Sequence, residues 1–159
     1  MKIDTGSFRG DDGVTLTRYE AGNPAGVPLV FLSGLGGGFD IWRPLLERFG
    51  DRFRLIGWDY RGLYESETPQ SLESVAIPQQ ARDLSRLLAE TEARHPVMIG
   101  WSMGVQVALE WHRHFPSGVR GLVGVHGTAG RPLATAFDST AAGIVAPAVL
   151  AALGAVGRG

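Results

Sequence analysis

The apolar positions of this chain fall into two periods. Residues 14–20, VTLTRYE, alternate like a strand with one buried face. Asp11-Asp12-Gly13 supplies turn chemistry just before them, so residues 7–9 and 14–20 are expected to pair as a hairpin. Residues 28–32 (PLVFL), 53–59 (FRLIGWD) and 97–101 (VMIGW) are short apolar runs, the pattern of buried strands, and residues 119–126 (VRGLVGVH) read as a further strand. Between them the period lengthens to that of a helix. Residues 39–49 (FDIWRPLLERF) place Asp40 in a first turn, where an acid suits the helix dipole. Residues 79–93 carry Ala81, Leu84, Leu87 and Leu88 on one stripe, and residues 103–115 follow directly on a strand. Residues 23–26 and 60–78 read as loops.

A hairpin, three strand–helix units and a further strand predict an α/β fold: a mostly parallel twisted sheet with helices on both faces and an N-terminal β-hairpin. In such sheets ligands bind beyond the carboxyl ends of the strands. Loops 33–38, 59–66 and 100–104 meet that edge, and a fourth begins at His126. The pattern decays after Gly127, so the core is assigned to residues 1–135. Between Asp138 and Arg158 no charge occurs, and that length approaches a membrane span. The segment is rich in Ala and Gly and broken by Pro147, so no stable span is expected. Residues 136–159 are assigned instead to the start of a lid or to a disordered helical tail.

Composition narrows the classes. The 159 residues are 44% apolar and 19% charged with a net charge of −1, the balance of a soluble globular protein with no electrostatic case for nucleic acid. Zero cysteines exclude disulfides, thiolate catalysis and Cys-ligated metal. The first residues, MKIDTGSFRGDDG, have no apolar core of the kind a secretory leader needs, and the expected location is cytoplasmic. Nothing points to a metal or an organic cofactor.

The candidate chemistry is Gly100-Trp101-Ser102-Met103-Gly104, where a strand passes straight into a helix. A sharp turn there strains the backbone at the serine, and flanking glycines remove the Cβ atoms that would clash. The hydroxyl would then project over the sheet edge at a helix N-terminus. The competing reading is a tight turn with Ser102 as a helix cap. The loop Ser33-Gly34-Leu35-Gly36-Gly37-Gly38 lets main chain approach a substrate closely. It lacks the Gly-Lys-Ser/Thr ending of a phosphate cradle, and Phe39 or Ile41 stands where a dinucleotide motif needs its last glycine. In the turn Asp59-Tyr60-Arg61-Gly62-Leu63-Tyr64-Glu65-Ser66, an Asp59–Arg61 ion pair is expected to act as scaffold.

Together, LSGLGGG, WDYRG, GWSMG and GLVGVHGTAGRP, in this order and spacing, resemble the α/β-hydrolase superfamily over about residues 7 to 135. Two motifs depart from it. The family often has His-Gly where this chain has Ser33-Gly34, and its Arg-Gly-His-Gly-x-Ser turn is RGLYES here, so Leu63 and Tyr64 differ. The resemblance implies that Ser102 is a nucleophile and that the backbone N–H groups of Leu35 and Met103 bind an oxyanion. The pocket candidates are Gly34, Gly36, Phe39, Trp101 and His126, with Leu35, Phe39, Trp101 and Met103 giving an apolar lining. The implied activity is hydrolysis of small apolar carboxylic esters or related acyl compounds.

The serine also needs a base and an orienting acid, which in this family follow the nucleophile. His112 and His114 lie ten and twelve residues beyond Ser102, about 15–18 Å along a helix, and Glu110 shares that distant turn. His95 precedes its strand and so sits at the opposite end. His126 ends the next strand on the catalytic edge, where a hydrogen-bonded structural histidine is the plainer reading. Asp138 cannot be placed. The expectation is therefore the front part of a longer hydrolase, lacking the acid and the histidine and leaving an open sheet edge. The alternative is a non-catalytic α/β module that binds small molecules.

Overall fold

The structure is a computed structural model and describes residues 1–69 and 71–129. A compact unit runs from Met1 to Gly127. Its six strands are β1 (Ile3–Arg9), β2 (Thr15–Gly22), β3 (Val27–Leu32), β4 (Phe53–Trp58), β5 (Val97–Trp101) and β6 (Gly121–Val125). They form one sheet in the order β1-β2-β4-β3-β5-β6. The hairpin joins the sheet antiparallel through β2 and β4, while β4, β3, β5 and β6 run parallel. The helices are α1 (Arg43–Phe49), α2 (Ile77–Glu90) and α3 (Met103–His114), with 3₁₀ turns at Phe39–Trp42 and Leu72–Val75.

Both faces of β3, β4 and β5 are buried, which explains their continuous apolar runs. Side chains alternate between two core layers. Val30, Leu32, Ile56, Trp58 and Met98 pack on one face with Leu84 and Leu87 of α2 and Val107 and Trp111 of α3. Leu29, Phe31, Leu55 and Ile99 pack on the other with Trp42 and Leu46. Each fully buried aliphatic or aromatic side chain contributes roughly 1.5–3 kcal/mol of transfer free energy, so these two layers carry most of the drive to fold. Among the described residues β6 pairs with β5 alone, and Leu122, Val123 and Val125 are 37%, 47% and 37% exposed.

The hairpin is longer than the alternation suggested. It begins at Ile3, because Asp4, Thr5 and Gly6 lie on an exposed edge where no apolar signal is required. The loop after β4 contains the 3₁₀ turn Leu72–Val75, and α2 starts at Ile77 with Pro78 in its first turn, where the missing N–H costs nothing. The expectations for residues 136–159 lie outside the described residues. Among the described residues no helix is long and apolar enough to cross a membrane.

The expected Asp59–Arg61 pair is not the one that forms. Arg61, its side chain 0% exposed, reaches away from its own turn to Asp83 on α2, donating from Nε to Oδ2 at 2.6 Å and from Nη2 to Oδ1 at 2.7 Å. It also donates two bonds to Asp12 in the hairpin turn, at 2.5 and 2.9 Å. One guanidinium thus ties three separate segments together. Burial pushes the Asp83 carboxyl up and the Arg61 hydrogen bonds oppose that push. Asp59 instead accepts from the Tyr19 hydroxyl at 2.6 Å, and burial raises its pKa.

Replacing Arg61 with Met leaves the Asp83 carboxylate buried without its partner. A loss of about 3–5 kcal/mol in urea unfolding is expected. Asp12 responds to pH in the opposite sense from a buried carboxyl. Its Arg61 hydrogen bond holds it below its ordinary 3.8, so the stability it adds is present above that value and is lost as pH falls through the folded pKa. In Asp12→Asn the unfolding midpoint loses that part of its acid dependence.

Candidate active site

Ser102 stands between the end of β5 and the first turn of α3, with φ +53° and ψ −116°. This is a backbone region that side chains rarely adopt, and it persists only where the surroundings impose it. Both glycines of the motif are part of that imposition. A Cβ at Gly104 would lie 1.9 Å from the carbonyl oxygen of Leu32, and one at Gly100 would lie 2.7 Å from the Val105 nitrogen. The helix therefore starts in contact with β3, and the chain has room for only one sharp bend. The Ser102 N–H donates to the Val125 carbonyl at 3.0 Å, and its carbonyl accepts from Val105 at 3.1 Å. Its side chain makes no capping hydrogen bond, and the residue is exposed. These facts speak against the helix-cap reading. A hydroxyl at this place faces the positive end of the α3 dipole.

The glycine loop lies against the serine. A Cβ at Gly34 would meet the Trp101 ring at 2.9 Å and the Ser102 Cβ at 3.2 Å. The loop is a tight turn: Gly37 N–H donates to the Gly34 carbonyl at 3.0 Å, and Gly36 has φ +76°, as the third residue of a type II turn requires. Leu35, the second residue of that turn, is 61% exposed. Ser33, buried, holds the loop base. Its Oγ accepts from Trp42 Nε1 at 3.0 Å and donates to the Gly38 carbonyl at 3.4 Å. Tyr64 comes from the next loop, has φ +49°, and donates its hydroxyl to the Gly36 carbonyl at 2.7 Å.

The remaining candidates divide. Trp101 is 37% exposed beside Ser102, and Met103 is half-buried against the first core layer. Phe39 is 5% exposed: its ring stacks on Tyr19 at 5.3 Å and fills the space a Cβ at Gly57 would occupy, so it supports the loop from within the core. His126 is exposed with φ +48°, one residue after the Val125 carbonyl that Ser102 contacts. His114 and Glu110 pair with each other at 3.3 Å at the C-terminal end of α3, where Arg113 holds Glu110 below its usual range. His95 is exposed before β5. Among the described residues no three of His, Cys, Asp and Glu are grouped as a metal site needs. Residue pattern alone does not mark Tyr64 or Ser33 as site residues, although both stand at departures from the resembled motifs.

The family model described as alpha/beta hydrolase fold matches residues 27–150. The chain is 30% identical over 105 residues to a protein of Azorhizobium caulinodans named "Putative carbamate hydrolase RutD", a match covering 66% of this chain and 39% of that one. Among solved structures, a "putative aryl esterase" from Burkholderia cenocepacia superposes with a TM-score of 0.74 at 34% identity, covering 79% of this chain and 47% of that one. An alpha/beta hydrolase from Novosphingobium aromaticivorans superposes with a TM-score of 0.71 at 22% identity over 77% and 43% of the two chains, a likeness of fold alone. The chain spans about two fifths of the length of the carbamate hydrolases of this name from Azorhizobium caulinodans and Escherichia coli.

Strain at Ser102 is measurable. Ser102→Gly relaxes the backbone, whereas Ser102→Ala keeps the strain. The glycine variant is expected to be about 1 kcal/mol more stable than the alanine variant in urea unfolding, after the entropy cost of glycine is taken off.

Proposed function

This chain belongs to the alpha/beta hydrolase fold family, and on that premise we propose that it is a serine hydrolase acting on small apolar carboxylic esters or related acyl compounds, with Ser102 as nucleophile. The observation that carries this reading is the uncapped, exposed, left-handed Ser102 at the carboxyl end of β5, pressed against the glycine loop. Its Oγ attacks the acyl carbon while a base takes the hydroxyl proton. The carbonyl oxygen becomes an oxyanion, which the backbone N–H groups of Leu35 and Met103 stabilise as donors from two separate elements. Expulsion of the alcohol, which takes up the proton, leaves an acyl-serine. Water then hydrolyses it and releases the acid.

Leu35, Trp101 and Met103 supply an apolar wall, Gly34 and Gly36 admit the substrate to main chain, and His126 borders the pocket. The names of the relatives, a carbamate hydrolase and an aryl esterase, share attack at a carboxyl carbon bearing a heteroatom leaving group. The base and its orienting acid come from outside the described residues in this reading. The histidines of α3 are at its far end, and His126 is assigned no base role. This chain by itself then carries the nucleophile and the oxyanion loop but activates the serine poorly.

The test is phosphonylation of the purified chain by a fluorophosphonate, with the site located by mass spectrometry, beside turnover of p-nitrophenyl acetate. Label confined to Ser102 and lost in Ser102→Ala is expected, with turnover below about 1 s⁻¹, an order under ordinary enzymes. Equal labelling of other serines, or label that survives Ser102→Ala, would sink the reading of Ser102. Faster turnover abolished by Ser102→Ala would uphold the serine and refute the poorly activated chain.

A further inference from the structure

Tyr64 pays a conformational cost at φ +49°, where glycine would be unstrained. Turn geometry alone does not explain a tyrosine there. What the side chain does is contact the glycine loop twice. Its hydroxyl donates to the Gly36 carbonyl at 2.7 Å, and its ring lies 3.0 Å from where a Gly38 Cβ would be. Three consecutive glycines, Gly36, Gly37 and Gly38, make that loop the segment of the site with most backbone freedom to lose. The loop base is already fixed by Ser33 and Trp42, so the tip carrying Leu35 is what needs holding.

We propose that Tyr64 is a positioning residue that latches the tip of the glycine loop, holding the Leu35 amide in place for a developing anion at Ser102. The proposal rests on the Ser102 reading for its function, though the latch itself does not. A preorganised donor stabilises a transition state because no reorganisation is needed when charge appears. A loop of free glycines would have to be ordered at that moment. The hydroxyl–carbonyl bond does this ordering in advance, and the left-handed Tyr64 backbone aims the ring back across the loop. The adjoining turn is rigid enough to bear it. Ser66 Oγ donates to the Asp59 carbonyl at 2.7 Å and accepts from Thr17 N–H at 2.9 Å, so the 59–66 segment is bolted to β2.

The experiment compares the full chain with Tyr64→Phe and Tyr64→Gly by amide hydrogen exchange and by the rate of Ser102 phosphonylation. In Tyr64→Phe the Gly37 amide should exchange about five- to tenfold faster, the factor one neutral hydrogen bond carries, with β3 and β5 amides unchanged. Phosphonylation should slow about tenfold, less than the 10²–10³ lost with an oxyanion donor itself. Tyr64→Gly should be more resistant to urea than wild type and yet slower to label. A merely structural residue would move stability and rate together. Unchanged Gly37 exchange in Tyr64→Phe overturns the proposal whatever the rates are. Faster exchange with an unchanged labelling rate overturns the role in the reaction. If wild type takes no label at Ser102, activation of the serine within this chain fails, and the exchange ratio alone then decides for or against the latch.

Discussion

A single steric fact sets the geometry of this site: α3 begins in contact with β3. The Leu32 carbonyl lies where a Cβ at position 104 would be, so the helix can approach only because Gly104 has none. That approach compresses the connection between β5 and α3 into one residue, Ser102, which takes up the bend at φ +53°. Packing energy from the two core layers sustains the strain, since a local cost of about 1–3 kcal/mol persists only when its surroundings over-determine it. The same compression keeps Ser102 from folding back onto the helix as a cap. Its exposure and its strain have one cause.

The rest of the chain serves to hold that contact. Val30, Leu32, Ile56 and Met98 on one face and Leu29, Phe31, Leu55 and Ile99 on the other clamp the parallel strands between helices. Arg61 binds the hairpin turn and α2 to the turn after β4, and the hydrogen bonds of Ser66 fix that turn to β2. From this braced turn Tyr64 reaches the glycine loop. The order of the sheet brings the ends of β3, β5 and β6 side by side, which places the 33–38 loop and His126 on either side of Ser102.

Much of this was legible from residue pattern. Strands buried on both faces announce themselves as apolar runs, and a Gly-x-Ser-x-Gly segment at a strand-to-helix junction leaves few conformations for its serine. What pattern could not convey was pairing across the fold. Asp59 and Arg61 are two positions apart and of opposite charge, yet Arg61 bonds Asp83, 22 positions on, and Asp59 bonds Tyr19, 40 positions back. Successive residues leaving a strand diverge, so proximity in sequence is a poor guide to an ion pair there. Phe39 reads as a pocket residue from its place after the glycine loop, but the missing side chain of Gly57 gives its ring a berth in the core. The first residues of β1 carry little signal because Asp4 and Thr5 of this edge strand are exposed.

The conformation of residue 102 can be observed directly. In a crystal structure of the chain at a resolution that fixes each peptide plane, Ser102 should show φ near +53° with its Oγ free of the α3 amides and open to solvent beside Gly34. A Ser102 at negative φ, with Oγ accepting from the Gly104 or Val105 N–H as a helix cap, would contradict the account.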